Sequence, residues 1–511
     1  MSKSRIDYSI KNIITALMEQ VFLNVLSFIC RTIFIHSLGK IYLGFSGLFG
    51  DILSLLSLTE LGIGTAITYS MYKPVAHKEY KKVAALLSIY KTVYILLGIM
   101  MSLIGVLLTP FLNFFISDIP DIPELPLIYL MYLFNSTLSY FFSYKKSVLI
   151  THQKTFIVSW INIIFSIVQN ILQIIFLLIT HNFIVYLAFQ VFSTVGSNIV
   201  ISIYVDKNYP FIKKYRNIRI DRETKVIIFN NIKAMFFSKI SSVIVTSTDN
   251  LLISKFVSTV ILGLYSNYTI FTTMLRSVMA QIFNALVGSV GNLVALESSE
   301  TVYKTYKKIW FINFWLASFC CVTLYVLVNP FIELWVGDSY VISSYIPIII
   351  CLNLYLRLMR NTFLIFIDTY GLFSEVKLKC VLEAVINFIV SLFLVKVIDL
   401  GIYGILIGTL VSNVFTNLWY EPYILYVQKW KISLKNYFFD FSLYLCITVL
   451  VSAFMKLIYK ILFSIIDGWL AFFILAILCI IIINLVYYII FSKTLEFKYL
   501  TSVVKTKLLK K

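Results

Sequence analysis

The chain has 511 residues, 60% of them hydrophobic and 13% charged, with a formal net charge of +19. Soluble domains carry roughly 25% charged residues, and a soluble protein this apolar would expose large greasy patches. Composition therefore excludes a soluble enzyme and points to the bilayer, where the positive charge reads as a topology signal and not as a nucleic-acid surface.

A spanning helix needs about 20 mostly apolar residues. Such runs follow one another at 12–37, 42–68, 84–112, 125–150, 155–180, 184–205, 229–255, 261–290, 308–334, 340–366, 376–397, 402–428, 436–460 and 466–492. They predict an all-α integral membrane protein of about fourteen transmembrane helices. Sustained period-two alternation is absent, which argues against a membrane barrel. The first run is too long for a signal peptide and ends in "RTIFIHSLGK" instead of a small-residue cleavage site, so it is expected to be a retained helix.

Charge sets the expected topology. With both termini cytoplasmic, all but ten of the 43 Lys and Arg fall in cytoplasmic segments. Lys40, Lys255, Lys396, Lys456 and Lys460 fall outside; Arg31, Lys239, Arg276, Arg357 and Arg360 fall within spans. The outer loop after the third run carries Asp118, Asp121 and Glu124 instead. The expected location is a membrane, crossed many times.

Signals for catalysis are weak. The seven cysteines (30, 320, 321, 351, 380, 446 and 479) lie in apolar runs without CxxC spacing. The four histidines (36, 77, 152 and 181) sit at run ends or in loops, with no metal-ligand spacing. There is no GxSxG and no P-loop. The longest hydrophilic connection, 206–228, leaves no room for a catalytic domain. The reading is a protein that is not an enzyme, with no metal and no cofactor.

The chain repeats itself. At a shift of 219, "NIITALMEQVF" (12–22) faces "NIKAMFFSKIS" (231–241), and Leu43-Gly44 falls on Leu262-Gly263. At a shift of 220, "PFLNFFISD" (110–118) meets "PFIELWVGD" (330–338). Near-constant register across Pro, Gly, Asn and Asp argues for duplication. The expected organisation is an N-terminal lobe at 1–205, a cytoplasmic linker at 206–228, a C-terminal lobe at 229–428, and two extra helices with a basic tail at 429–511. Six helices per lobe give both lobes the same orientation, a parallel repeat around a central cavity.

Polar residues fall in stripes at helical spacing. Gln20, Asn24, Ser27 and Arg31 share one face of the first run; Lys239, Ser242, Thr246 and Asp249 share one face of the seventh. Thr269, Thr273, Arg276 and Asn284 do so in the eighth, and Asn353, Arg357, Arg360 and Asp368 in the tenth. A charge in hydrocarbon costs roughly 2.5–3.5 kcal/mol, so such residues face a bundle interior or a wet cavity. Arg31 and Asp51 fall at similar depth in adjacent helices, so an ion pair and a substrate contact are both open there. Arg357 and Arg360 sit one turn apart, with Asp368 two turns beyond Arg360, and guanidinium forks suit phosphate oxygens.

The stretch "RTIFIHSLGKIYLGFSGLFGDILSLLSLTELGIGTAITYSMYKPVA" (31–76) resembles the opening helices of Wzx-type polysaccharide flippases, as do "ILGLYSNYTI" (261–270) and "NLWYEPYILY" (417–426). That group belongs to the superfamily of multidrug exporters and the lipid II flippase. The resemblance implies flipping of undecaprenyl-diphosphate-linked oligosaccharide from the inner to the outer leaflet by alternating access, for surface polysaccharide. It implies the lipid bilayer and a lipid-linked oligosaccharide as partners, beside a polysaccharide polymerase and chain-length machinery, and no nucleic acid. Candidate cavity residues are Arg31, Lys239, Arg276, Arg357, Arg360, Asn24 and Asn353. Candidate ion-coupling residues are Glu19, Glu60 and Asp249. The alternatives are a multidrug cation antiporter of the same fold, and a membrane polymerase or glycosyltransferase, against which the short outer loops argue.

Overall fold

The computed structural model describes residues 2–57, 63–116, 122–215, 247–284, 286–499 and 501. Lys239 and Glu60, and most of the expected linker, lie outside them. Among the described residues every regular element is helical, and eleven helices are long and apolar enough to cross a membrane. That is fewer than the expected fourteen or so, for identifiable reasons. The first two expected spans form one helical run, Ser2–Leu56, broken at Gly39 (φ 81°, ψ −168°). Only a glycine adopts that conformation without strain, so the sequence break between 37 and 42 is a real kink. The seventh expected span is described only from residue 247. The eighth is the helix Thr259–Asn284, whose stripe of Asn, Thr and Arg leaves it less apolar than the eleven.

Helix ends follow local chemistry. Ser298 caps the 38-residue helix Ser299–Val336, its hydroxyl accepting from the Thr301 amide, and Gly337 ends it at φ 101°. Ile346–Tyr370 carries Pro347 in its first turn and closes on Gly371 at φ 70°. The run from Gly401 is interrupted: Gly401–Phe415 stops at Thr416 (φ −120°, ψ −68°), Asn417–Tyr423 contains Pro422, and Ile424–Lys429 is a π-helical turn.

Two compact units are present, Met1–Gly263 and Leu264–Lys511. The first packs Ile67, Met71, Val83, Leu86, Tyr90, Tyr94, Val148 and Val205 into one core. The second has an aromatic core: Tyr306 and Trp310, both fully buried, pack with Phe363, Tyr426, Trp430 and Tyr437 at centroid distances of 4.7 to 6.0 Å. Outward faces are apolar, with Leu96 65%, Ile179 71% and Leu450 68% exposed. Water would disfavour such faces and lipid accepts them.

Candidate functional site

Charges inside apolar helices are the informative residues, because each must be engaged or wet. In the second unit four of them converge. Arg360 Nε donates to Glu421 Oε2 at 3.0 Å and to Oε1 at 3.2 Å, and Nη2 donates to Oε1 at 2.7 Å. Lys379 Nζ donates to the same Oε1 at 2.8 Å and stands 3.6 Å from Glu383 Oε2. Arg360 Nη1 lies 3.7 Å from Glu383 Oε1. Asn417 Nδ2 donates to Glu383 at 2.8 Å and to Asn413 at 2.7 Å. Glu421 is fully buried and Lys379 is 4% exposed.

Local periodicity builds this cluster. Lys379 and Glu383 are four residues apart in Phe373–Lys396. Asn413, Asn417 and Glu421 recur every four residues along the interrupted run from Gly401. Two cations and two anions cancel, which is the form in which buried charge is tolerated. The network ties together Ile346–Tyr370, Phe373–Lys396 and the segment beside Pro422.

Arg360, a candidate cavity residue by its stripe, has an acid beside it that the stripe does not contain. Asp368 is exposed; the acid is Glu421, 61 residues away in sequence. The space beside Arg360, lined by Met359, Asn413, Asn417 and Tyr437, amounts to about 10 Å³, roughly one water. Arg357, one turn earlier, is half-buried. Asn353 spends its amide on a brace, donating to the Leu406 carbonyl at 2.9 Å. Arg276 is half-buried within electrostatic reach of Tyr265.

In the first unit Asp51 accepts from Asn250 Nδ2 at 2.7 Å and also meets the Ser247 side chain. Among the described residues no ion pair joins Arg31 to Asp51. Arg31 instead stands within electrostatic reach of Tyr186, whose ring packs edge-on against Phe34 at 5.1 Å. Beside it Gln173 donates to the Tyr186 carbonyl at 2.9 Å and accepts from the Cys30 thiol at 3.7 Å. Glu19 accepts from Asn162 Nδ2 at 3.2 Å and lies near Lys146. Asn24 and Asp249 are half-buried.

Sequence reasoning missed Lys379, Glu383 and Glu421. The signal was present: "KCVLE" (379–383) places opposite charges four apart at the start of an apolar run, and "NLWYEPY" (417–423) sets a glutamate beside a proline.

The polysaccharide biosynthesis protein family matches residues 9–287, more than half of the chain. The chain belongs to this family. Solved structures place the family member in a known fold. MurJ, a lipid II flippase in an inward closed conformation, aligns with a TM-score of 0.64 at 14% identity, over 94% of this chain and 99% of that one. An inward-facing multidrug resistance MATE family transporter of the MOP superfamily aligns at 0.62 and 14% identity, over 80% and 96%. A MOP superfamily transporter from Pyrococcus furiosus, described as having a binding pocket of reverse polarity, aligns at 0.52 and 14% identity, over 82% and 96%. No curated protein matches the sequence. Family and fold place this polysaccharide biosynthesis protein in the multi-pass membrane fold that these flippase and exporter structures share.

Proposed function

We propose that this chain flips undecaprenyl-diphosphate-linked oligosaccharide repeat units from the inner to the outer leaflet of a bacterial plasma membrane by alternating access, supplying surface polysaccharide. The observation that carries the reading is the family match over residues 9–287, joined to a fold shared with a lipid II flippase. A diphosphate head needs cations in a low-dielectric setting, where each is worth more than in water. Arg31, Arg276 and Arg357 are the described candidates, with Lys239 beside them in the sequence pattern. The sugar chain finds hydroxyl, amide and aromatic partners on the same stripes. Glu19, Glu60 and Asp249 are the candidate protonatable sites for ion coupling. A polymerase and chain-length machinery would receive the product.

The test is to delete the gene and locate the lipid-linked repeat units. Accumulation on the inner leaflet is expected; normal surface polysaccharide would overturn the reading. Both termini and the 206–228 segment are proposed to be cytoplasmic, so a cysteine placed at Asn217 should resist an impermeant reagent in intact cells. The multidrug cation antiporter remains the second reading because of the shared MATE fold. It is disfavoured because Glu383 and Glu421 are tied to Arg360 and Lys379, and drug-efflux assays separate the two.

A further inference from the structure

Within the first unit, a pocket of about 430 Å³ opens between the helix Tyr80–Leu108, the end of Leu125–Ser143, and the end of Phe183–Asn208. Ser88, Lys91 and Thr92 line one wall, at i, i+3 and i+4 on a single helix face. Lys145, Asp206 and Lys213 line the other.

Asp206 serves two lysines, Lys145 at 2.7 Å and Lys213 at 3.6 Å. Lys145 also donates to the Ser202 hydroxyl at 2.7 Å, and its side chain is only 13% exposed, so this cation is fixed in place. Lys91 makes no ion pair or hydrogen bond among the described residues, although it is half-buried. Three cations against one carboxylate leave an excess of two positive charges in a partly enclosed space. An uncompensated ammonium beside hydrocarbon is costly, and a bound anion relieves that cost.

We propose that this pocket binds a phosphate-bearing anion, met in the membrane as a lipid headgroup. Lys145, held by Asp206 and Ser202, gives a preorganised point charge, and the more exposed Lys213 adds a second cation at the mouth. Lys91 supplies the free charge; Ser88 lines the same space, while the Thr92 hydroxyl donates to the Ser88 carbonyl at 3.0 Å and is not spare for a ligand. Leu87 and Ile95 add an apolar wall, which suits an attached acyl chain better than an inorganic ion. Basic pockets between membrane helices hold anionic lipid headgroups by this chemistry. The pocket is lined by none of the arginines proposed to hold the transported substrate, and its occupancy does not depend on transport.

The test uses full-length protein in detergent, analysed by native mass spectrometry with phosphatidylglycerol, phosphatidylcholine or inorganic phosphate. Phosphatidylglycerol should be retained by the wild type over phosphatidylcholine. Lys91→Gln should weaken it about five- to tenfold, the loss of one lysine charge near a lipid surface, while Lys91→Arg should hold it. Lys91 has no described partner to lose, so both variants should unfold at the wild-type temperature. Displacement of the lipid by millimolar phosphate would keep the anion site and assign it a soluble occupant. Equal retention of phosphatidylglycerol by the wild type and Lys91→Gln, or equal binding of the two lipids by the wild type, would overturn the proposal.

Discussion

Gly44 and Gly263 meet at a helix crossing too close for a side chain on either. A Cβ on Gly263 would stand 2.6 Å from the Lys40 carbonyl oxygen and 2.9 Å from the Gly44 amide nitrogen; one on Gly44 would stand 2.2 Å from the Thr259 carbonyl oxygen. Small residues at crossings let membrane helices approach until their backbones touch. These are also the two glycines that the 219-residue shift superimposes. The duplication is a prediction in its own right: 1–205 and 229–428 should superpose as two repeats, and a crystal structure in which they do not would remove it.

Because the obstructing atoms are backbone, neither helix can yield locally. Gly44→Ala and Gly263→Ala should each destabilise by about 1–3 kcal/mol, the usual cost of overpacking. Gly50→Ala, with nothing within 4 Å of its Cβ position, is the control. Thermal unfolding in detergent reads the difference; equal melting of all three variants would show that the crossing is loose.

Much of this fold is legible because lipid demands long apolar runs, and the break at Gly39 shows in the spacing between 37 and 42. The site was less legible. Stripe analysis found Arg360 from one helix, whereas its carboxylate partner comes from another, at Glu421. A one-dimensional period sees residues on the same face of one helix and is blind to which face of a later helix turns toward them. Asp51 illustrates the same limit: its nearest cationic residue by depth, Arg31, was an open candidate, yet its partner is the amide of Asn250.

The Arg360–Glu421 pair is a prediction about stability before it is one about transport. Removing one member of a buried, hydrogen-bonded ion pair typically costs about 3–5 kcal/mol, while replacing both by apolar residues is often neutral. Arg360→Met should therefore lower abundance and melting temperature, and Arg360→Met with Glu421→Leu should recover part of the loss. Lys379 and Glu383 complicate the cycle because they contact the same pair, so the recovery should be incomplete. A double variant no better than the single would show that the four charges act as one unit and not as separable pairs.

His152 gives a pH dependence. Burial chiefly holds its imidazole below the ordinary value of 6.5; the hydrogen bond to the Val148 carbonyl raises it, and neighbouring Lys154 lowers it further. The folded chain then takes up the proton at lower pH than the unfolded chain does. The stability contributed by His152 is full above pH 6.5 and is lost as pH falls through the depressed folded value. Melting temperature should fall between pH 7.5 and 5, and His152→Gln should flatten that fall. An unchanged slope in the variant would assign the acid sensitivity to other groups.

Arg357 carries the transport prediction. It shares a helix face with Asn353 and Arg360, but Asn353 is committed to the Leu406 carbonyl and Arg360 to Glu421. Arg357 is the other arginine of that stripe, half-buried, and its planar guanidinium fork suits a diphosphate. If it serves that role, Arg357→Ala should abolish surface polysaccharide export while protein abundance stays normal. Arg357→Lys should restore export only in part, because an ammonium keeps the charge without the planar fork. Arg360→Ala should differ in kind, with export falling in proportion to abundance, since its loss strands Glu421 with Lys379 alone. Export per molecule, measured as surface polysaccharide normalised to immunoblot signal, separates the two. Wild-type export per molecule in Arg357→Ala would move the cationic site to Arg31, Lys239 or Arg276.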